Sequence, residues 1–455
     1  MRWFKVIALV VLAGSTGVVS AATTNALDWR VAENKVSADI KGWDVQTLLE
    51  HIATATGWQI FLEPETKEAI SAKFKDRSPG DALRLLIPNL TAALVPETNA
   101  PSKLYVYKTS QQQATQRIAS HTKRKSANPI ANELIVKLKP GEKIDDLAKR
   151  LGAKVIGRID GLNAYRLRFE DADATNSARE ALAGDSSVES VDNNYAVMRP
   201  PEPQPLGVSS GPPMNLYPKA AASGDQIIIG LIDTAVQKEG NPNADFLLPG
   251  ISVATSTAEA TTQPRHGDSM FQTILQGMSL AENGDGGSRA RVLAVDIYGG
   301  SDMTSTFEIS AGIFRAVESG AKIINLSLGS SAETPFLKTL IESSSSQGVL
   351  FFGAAGNEPV TTPTYPAAYP DVIAVTALNR SGQIAPWANF GSFVDVGAPG
   401  SSIISFGNAA YMVTGTSAST AFASGAAAGF SQSTGKTGNG LQALVLQSLA
   451  IPGKK

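Results

Sequence analysis

The sequence predicts an α/β protein, a parallel sheet covered by helices on both faces, preceded by two small α+β domains. Three observations carry this. Short β-rich runs (QIIIGLID, RVLAVDIY, AKIINLSLG, GVLFFGAAGN, DVIAVTAL) alternate with helical patterns such as FEISAGIFRAVESG in the C-terminal half. Two shorter N-terminal stretches each mix helical and alternating apolar spacing. Two poor core-formers, SQQQATQRIASHTKRKSANP and RPPEPQPLGVSSGPPMN, separate the three.

The chain has 455 residues, 43% hydrophobic and 18% charged, enough for several packed cores. A net charge of −2 gives no field that would draw nucleic acid, so no nucleic-acid partner is expected. The absence of cysteine excludes disulfides, thiolate metal sites and a cysteine nucleophile. Any general-base histidine must be His51, His121 or His266.

Residues 1–22 read as an export signal. Arg2 and Lys5 precede the apolar run VIALVVLA, and small residues follow through VVSAA. The competing reading is a membrane anchor or a buried first strand. Export predicts a periplasmic or secreted protein.

Residues 28–108 form the first α+β domain. Val45, Leu48, Leu49, Ile52 and Ala53 share one helix face. GWQIFL reads as a strand, Ser78 and Pro79 start a helix with Ala82, Leu85 and Leu86 inward, and KLYVYK closes the domain. The stretch VSADIKGWDVQTLLEHIATATGWQIFLEPE with SAKFKDRSPGDALRLLIPNL resembles the short N-terminal domain of secretins and TonB-dependent receptors. That resemblance implies a docking or signalling module and an outer-membrane or periplasmic protein partner.

Residues 109–131 are a polar, basic linker. Residues 132–198 are a second α+β domain in β-α-β-β-α-β order. ELIVKL and AYRLRF alternate, Ile144, Leu147, Ala148 and Leu151 form one helix face, and Ala174, Ala178, Ala181 and Leu182 form another. With its closing VESVDNNYAV, the stretch resembles the propeptide of subtilisin-like proteases. That implies a folding template and intramolecular inhibitor whose tail, from Val188 onward, lies in the substrate cleft. A plain ferredoxin-like domain is the alternative. Residues 199–215 are a Pro-rich linker.

Residues 216–455 carry the α/β domain. Four residues lie at strand ends or helix starts, where such folds place ligands. Asp233 closes IIIGLID, His266 opens RHGDSMFQTILQ, Asn357 follows VLFFGAAG, and Ser417 begins the small-residue run GTSASTAFASGAAA. Each alone is ordinary, but together they are a working set. A serine hydroxyl needs a base, the base needs a carboxylate, and the oxyanion needs fixed N–H donors.

The segments LIDTAV, RHGDSM, INLSLGS, GAAGNE and GTSAST, in that order, resemble the motifs of the subtilisin-like (S8) serine proteases. The resemblance implies an endopeptidase in which Ser417 attacks a polypeptide substrate, His266 moves the proton, Asp233 orients His266, and Asn357 holds the oxyanion. It also implies that Ser327, Leu328 and Gly329 form one wall of the cleft, and Ala354, Ala355 and Gly356 another. Glu358 would lie near the P1 pocket. Self-cleavage is expected between Tyr195 and Tyr217.

Three departures from the family pattern stand out. Ala235 replaces a glycine, Asp268 and Ser269 replace Thr and His, and Ala421 and Phe422 replace Pro-His. Asp268 would stabilise the His266 imidazolium. No cofactor is expected with confidence. In AENGDGG, Glu282, Asn283 and Asp285 are spaced too loosely for a convincing calcium loop, and a solvated turn is the stronger reading. Two rival functions remain open: an inactive subtilase-fold binding protein, and an accessory of an outer-membrane system resting on the first domain.

Overall fold

The computed structural model describes residues 26–64, 66–96, 102–118, 129–211, 214–220, 226–281 and 286–453. The expected export signal, and the turn carrying Glu282, Asn283 and Asp285, lie outside these residues. The chain divides into two compact units, residues 1–121 and 122–455.

The first unit holds β1 (Ala26–Arg30), β2 (Lys35–Asp44), α1 (Val45–Thr56), β3 (Gln59–Leu62), β4 (Ala69–Arg77), α2 (Pro79–Leu86), β5 (Thr91–Val95), β6 (Lys103–Tyr107) and β7 (Gln116–Ile118). Its sheets run β1-β2-β4 and β5-β6-β3-β7. Asp44 caps α1 by accepting from the Thr47 N–H at 2.9 Å, and Gly57 ends it at φ 71°. Two details differ from the expectation. Leu85 is 48% exposed and Leu83 is buried in its place, because Ala82, Leu83 and Leu86 are the residues that share a helical face. β7 lies inside the expected linker and pairs with β3, with Ile118 opposite Ile60.

The second unit begins with β8 (Pro129–Leu138), α3 (Ile144–Arg150), β9 (Lys154–Ile159), β10 (Ala164–Arg168), α4 (Ala172–Ala183) and β11 (Val188–Met198). This is the β-α-β-β-α-β order read from the sequence. On α4, Ala181 is exposed and Thr175 takes the inward place, its hydroxyl donating to the Asp171 carbonyl at 2.6 Å.

The rest comprises β12 (Gln204–Pro205), β13 (Tyr217–Pro218), β14 (Ile227–Asp233), β15 (Ile251–Ser252), α5 (His266–Ala281), β16 (Gly287–Ser288), β17 (Ala290–Asp296), β18 (Met303–Ser305), α6 (Thr306–Glu318), β19 (Ile323–Leu326), α7 (Pro335–Ser345), β20 (Leu350–Ala354), β21 (Val372–Leu378), β22 (Val396–Pro399), β23 (Ser401–Phe406), β24 (Ala409–Thr414), α8 (Thr416–Thr434) and α9 (Gly438–Ser448). The central sheet has the order β15-β17-β14-β19-β20-β21-β22, and all its neighbours are parallel. One face packs on α5, α8 and α9 and the other on α6 and α7. Among the described residues no helix is long and apolar enough to cross a membrane.

The small-residue run has a packing reason. A Cβ on Gly425 would sit 1.9 Å from the Ile274 carbonyl oxygen, and one on Gly277 would sit 2.1 Å from that of Phe422. α5 and α8 therefore touch backbone to backbone, and only hydrogen fits at the crossing. That contact brings the start of α8 beside the start of α5.

The βαββαβ segment is built into the second unit. β11 pairs antiparallel with both β8 and β18. Asn194 accepts from the Phe307 N–H and the Thr306 hydroxyl, each at 3.1 Å, at the start of α6. Asp192 lies against the Phe336 N–H at the start of α7. Arg166 bridges Glu133 and Glu308 from within the interface.

The expected linker after β11 is held on both sides. The Arg199 N–H donates to the Asp302 carbonyl at 2.8 Å, and its guanidinium reaches the Asp302 carboxylate at 2.7 Å. Further on, β12 pairs with β24, the Leu206 N–H donates to the Ala410 carbonyl, and the Gly211 N–H donates to Ser405 Oγ at 2.8 Å. Pro203 is buried between these attachments.

Candidate active site

β14 delivers Asp233 to the carboxyl end of the central sheet, and α5 starts at His266 beside it. His266 Nδ1 lies 2.9 Å from both Asp233 oxygens, and the two side chains are 2% and 1% exposed. A carboxylate accepts only, so Nδ1 carries the proton and Nε2 is the acceptor. Asp233 Oδ1 also accepts from the Thr234 N–H at 2.7 Å, which fixes the carboxylate plane.

Ser417 is the second residue of α8 and is half-buried. Its hydroxyl donates to the Ser327 carbonyl at 3.2 Å, and no bond from it to His266 forms among the described residues. Asn357 is exposed, and its Oδ1 accepts from the Thr416 N–H at 2.8 Å and the Thr416 hydroxyl at 3.1 Å. Those bonds set the amide orientation and turn Nδ2 outward as the donor. Gly356 has φ 110°, and a Cβ there would meet Asn389 Nδ2 at 2.5 Å, so glycine is required beside Asn357.

Of the six expected wall residues, Gly329 and Gly356 reach the surface. Ser327 is 0% exposed and Leu328 is 4% exposed. Ala354 ends β20, and Ala355 packs with Val394 and Ile451 rather than facing the cleft. Glu358 is exposed, with its N–H on Asn389 Oδ1 at 2.8 Å.

Asp268 sits in a network that the sequence does not show. Its carboxylate is engaged by N–H groups of Gln237, Asn241 and Arg265. Burial pushes its carboxyl above the usual range, against the pull of those bonds.

Sequence reasoning missed Glu202. Its carboxylate lies against the His266 backbone N–H, with Asp233 beyond and Arg199 Nε 3.9 Å away. Oε2 is buried without a hydrogen-bond partner among the described residues. Burial raises its carboxyl above the usual range, and Arg199 and His266 only partly offset this. The signal available was the unusual run RPPEPQP, which composition alone marks as a linker.

The fold and residue set define a class, the serine hydrolases built on a helix-covered parallel sheet. The structure is similar to that of fervidolysin from Fervidobacterium pennivorans, described as a keratinolytic enzyme related to subtilisin, with a TM-score of 0.52 and 19% identity over 68% of this chain. This chain spans 55% of fervidolysin's length. It is also similar to the epidermin leader peptide processing serine protease of Staphylococcus aureus, with a TM-score of 0.51 and 16% identity over 65% of this chain and 88% of that one. At those identities the likeness shows the fold alone.

In sequence, the chain is 28% identical to the thermophilic serine proteinase of Bacillus sp. (strain AK1), over 66% of this chain and 77% of that protein. It is 29% identical to subtilisin NAT of Bacillus subtilis subsp. natto, over 62% and 74%. Residues 115–194 match the fervidolysin N-terminal prodomain and residues 224–452 match the subtilase family. The chain belongs to the subtilase family and is a subtilisin-like serine endopeptidase with an N-terminal propeptide.

Proposed function

We propose that Ser417 is the nucleophile, His266 the general base, Asp233 its orienting carboxylate and Asn357 an oxyanion donor. The observation that carries this is the buried Asp233–His266 pair, with Nδ1 2.9 Å from both carboxylate oxygens. The imidazole is thereby held in the tautomer that accepts a proton at Nε2. The Ser417 backbone N–H, at the α8 N-terminus, joins Asn357 Nδ2 in meeting the tetrahedral oxyanion. The acyl-enzyme then forms on Ser417 and water releases it. Gly329 and Gly356 offer backbone to an extended polypeptide.

The propeptide is residues 132–198 and inhibits in cis. The attachment of β11 to β18 and the course of residues 199–211 support this. Residues 28–108 are a docking module for an envelope protein, on the strength of their secretin/TonB-like sequence pattern. Export rests on Arg2, Lys5 and VIALVVLA. The test is fluorophosphonate labelling of processed protein beside Ser417→Ala, with N-terminal sequencing of both. Labelling and processing that vanish in the variant are expected. A processed, folded parent that takes no label would favour an inactive scaffold.

A further inference from the structure

We propose that Asp268 is a positioning residue for the Asp233–His266 pair, clamping the loop after β14 to the first turn of α5. This rests on the reading of His266 as general base.

The side chain is 0% exposed. One carboxylate oxygen accepts from the Gln237 N–H at 2.8 Å and from Asn241 Nδ2 at 2.7 Å. The other accepts from the Arg265 N–H at 2.9 Å and from Gln237 Nε2 at 3.2 Å. Gln237 and Asn241 belong to the loop that leaves Asp233, whereas Arg265 directly precedes His266. One side chain therefore gathers both partners of the pair.

A second tie lies one residue away. The Gly267 N–H donates to Thr234 Oγ1 at 2.8 Å, and a Cβ on Gly267 would sit 2.3 Å from the Thr234 carbonyl oxygen. The loop is also fixed a turn further along α5, where Gln272 Nε2 donates to Asn241 Oδ1 at 2.8 Å. His266 thus sits at a joint fastened at positions 267, 268 and 272. If the loop slides against the helix, Nδ1 loses its place between the two Asp233 oxygens.

The chemistry of the site explains why the residue is an aspartate. Among the described residues Asp268 forms no ion pair, so its charge is held by N–H dipoles and the start of α5. A neutral residue of the same shape would avoid the desolvation. It could not accept four N–H bonds. Asparagine has one acceptor oxygen and would turn its NH2 on the other two donors.

The test uses the full chain with Asp268→Asn and Gln237→Ala. The second variant removes one donor and leaves the Asp268 charge in place. In Asp268→Asn, kcat on a small peptide substrate is expected to fall about 10- to 100-fold with KM within about 2-fold, because a base displaced by a fraction of an ångström loses rate rather than binding. At fixed pH in a Ser417→Ala background, the low-field NMR resonance of the His266 Nδ1–H, which is hydrogen-bonded to Asp233, is expected to move upfield as that bond loosens. The chain has 3 histidines, so few signals need assigning. Gln237→Ala should move both readouts in the same direction and by less.

If both variants melt lower but keep the parental kcat and His266 Nδ1–H resonance, Asp268 is structural only and the proposal fails. It also fails if Asp268→Asn moves the Nδ1–H resonance while Gln237→Ala does not, which marks a field effect instead of a clamp. Should Asp268→Asn not fold, Gln237→Ala decides alone. A parent that is inert toward substrate and probe overturns the general-base reading, and the His266 Nδ1–H resonances then decide the clamp.

Discussion

Ser417 and Ser327 are joined by two bonds of opposite sense. The Ser417 hydroxyl donates to the Ser327 carbonyl at 3.2 Å, and the Ser327 hydroxyl donates to the Ser417 carbonyl at 3.0 Å. Asn325 Nδ2 donates to Ser327 Oγ, and the Ser424 hydroxyl donates to Asn325 Oδ1, which ties the wall strand to α8. The proposed nucleophile is thus parked on a neighbouring backbone in the form that still carries its propeptide. Turning it to His266 gives up one neutral hydrogen bond, a cost of about 1 kcal/mol.

Asn357→Ala should lower kcat by about 10²–10³ with a small change in KM, the size found for the oxyanion asparagine of subtilisin itself. Thr416→Val should give a smaller loss, about 10-fold, because it removes one of the two bonds that orient the Asn357 amide. Steady-state kinetics on one peptide substrate checks both. Equal effects would show that Thr416 acts by another route.

Gly425→Ala should destabilise the second unit by about 3 kcal/mol, because the new methyl meets the Ile274 carbonyl and neither helix can retreat. Gly184→Ala is the control. Gly184 has φ −107° and nothing within 4 Å of its Cβ position, so the change should stay within about 0.5 kcal/mol. Urea unfolding compares the two.

The propeptide clamp should weaken in acid. Burial alone would raise the Glu133 carboxyl, but bonds from Arg166, Asn194 and Arg168 outweigh it and hold the group below its usual range. A lowered carboxyl contributes stability above its unfolded value, about 4.3, and loses it as pH falls through the folded value. Glu133→Gln should therefore cost about 3–5 kcal/mol at neutral pH, and the gap from the parent should close below about pH 4. Asp192, raised by burial, works in the opposite sense, its share being lost as pH rises through its folded value. Unfolding midpoints from pH 3 to 7 measure the difference.

Glu202 should give the unprocessed chain a pH-dependent latency. Its carboxyl is raised while the strap is docked, so its favourable share is full at low pH and lost as pH rises through that value. Fluorophosphonate labelling of unprocessed protein should therefore accelerate more steeply with pH in the parent than in Glu202→Gln. Parallel profiles would remove Glu202 from the account.

The central sheet was legible because its strands are short apolar runs, and the α2 start because Ser78 and Pro79 are local signals. Asp233 and His266 could be paired from the sequence because no other histidine lies in the last domain. Leu85 was misplaced because Leu83, Leu85, Leu86 and Ile87 are all apolar and spacing alone does not choose among them, and Ala181 because a polar residue, Thr175, takes the inward place. The network around Asp268 was not legible because two of its donors, Gln237 and Asn241, lie about 30 positions upstream on a loop. Glu202 was invisible because its setting is made by pairing with β24 and Asp302, contacts far away in sequence.

The strap between Arg199 and Leu206 has a chemical consequence of its own. Pro200, Pro201, Pro203 and Pro205 make four of its amides tertiary, with a ring carbon where the leaving amine would carry hydrogen. Only the bonds before Glu202, Gln204 and Leu206 keep an N–H, and that of Leu206 is already given to Ala410. What lies beside His266 in the unprocessed chain is therefore a segment with few N–H-bearing peptide bonds to offer a protease.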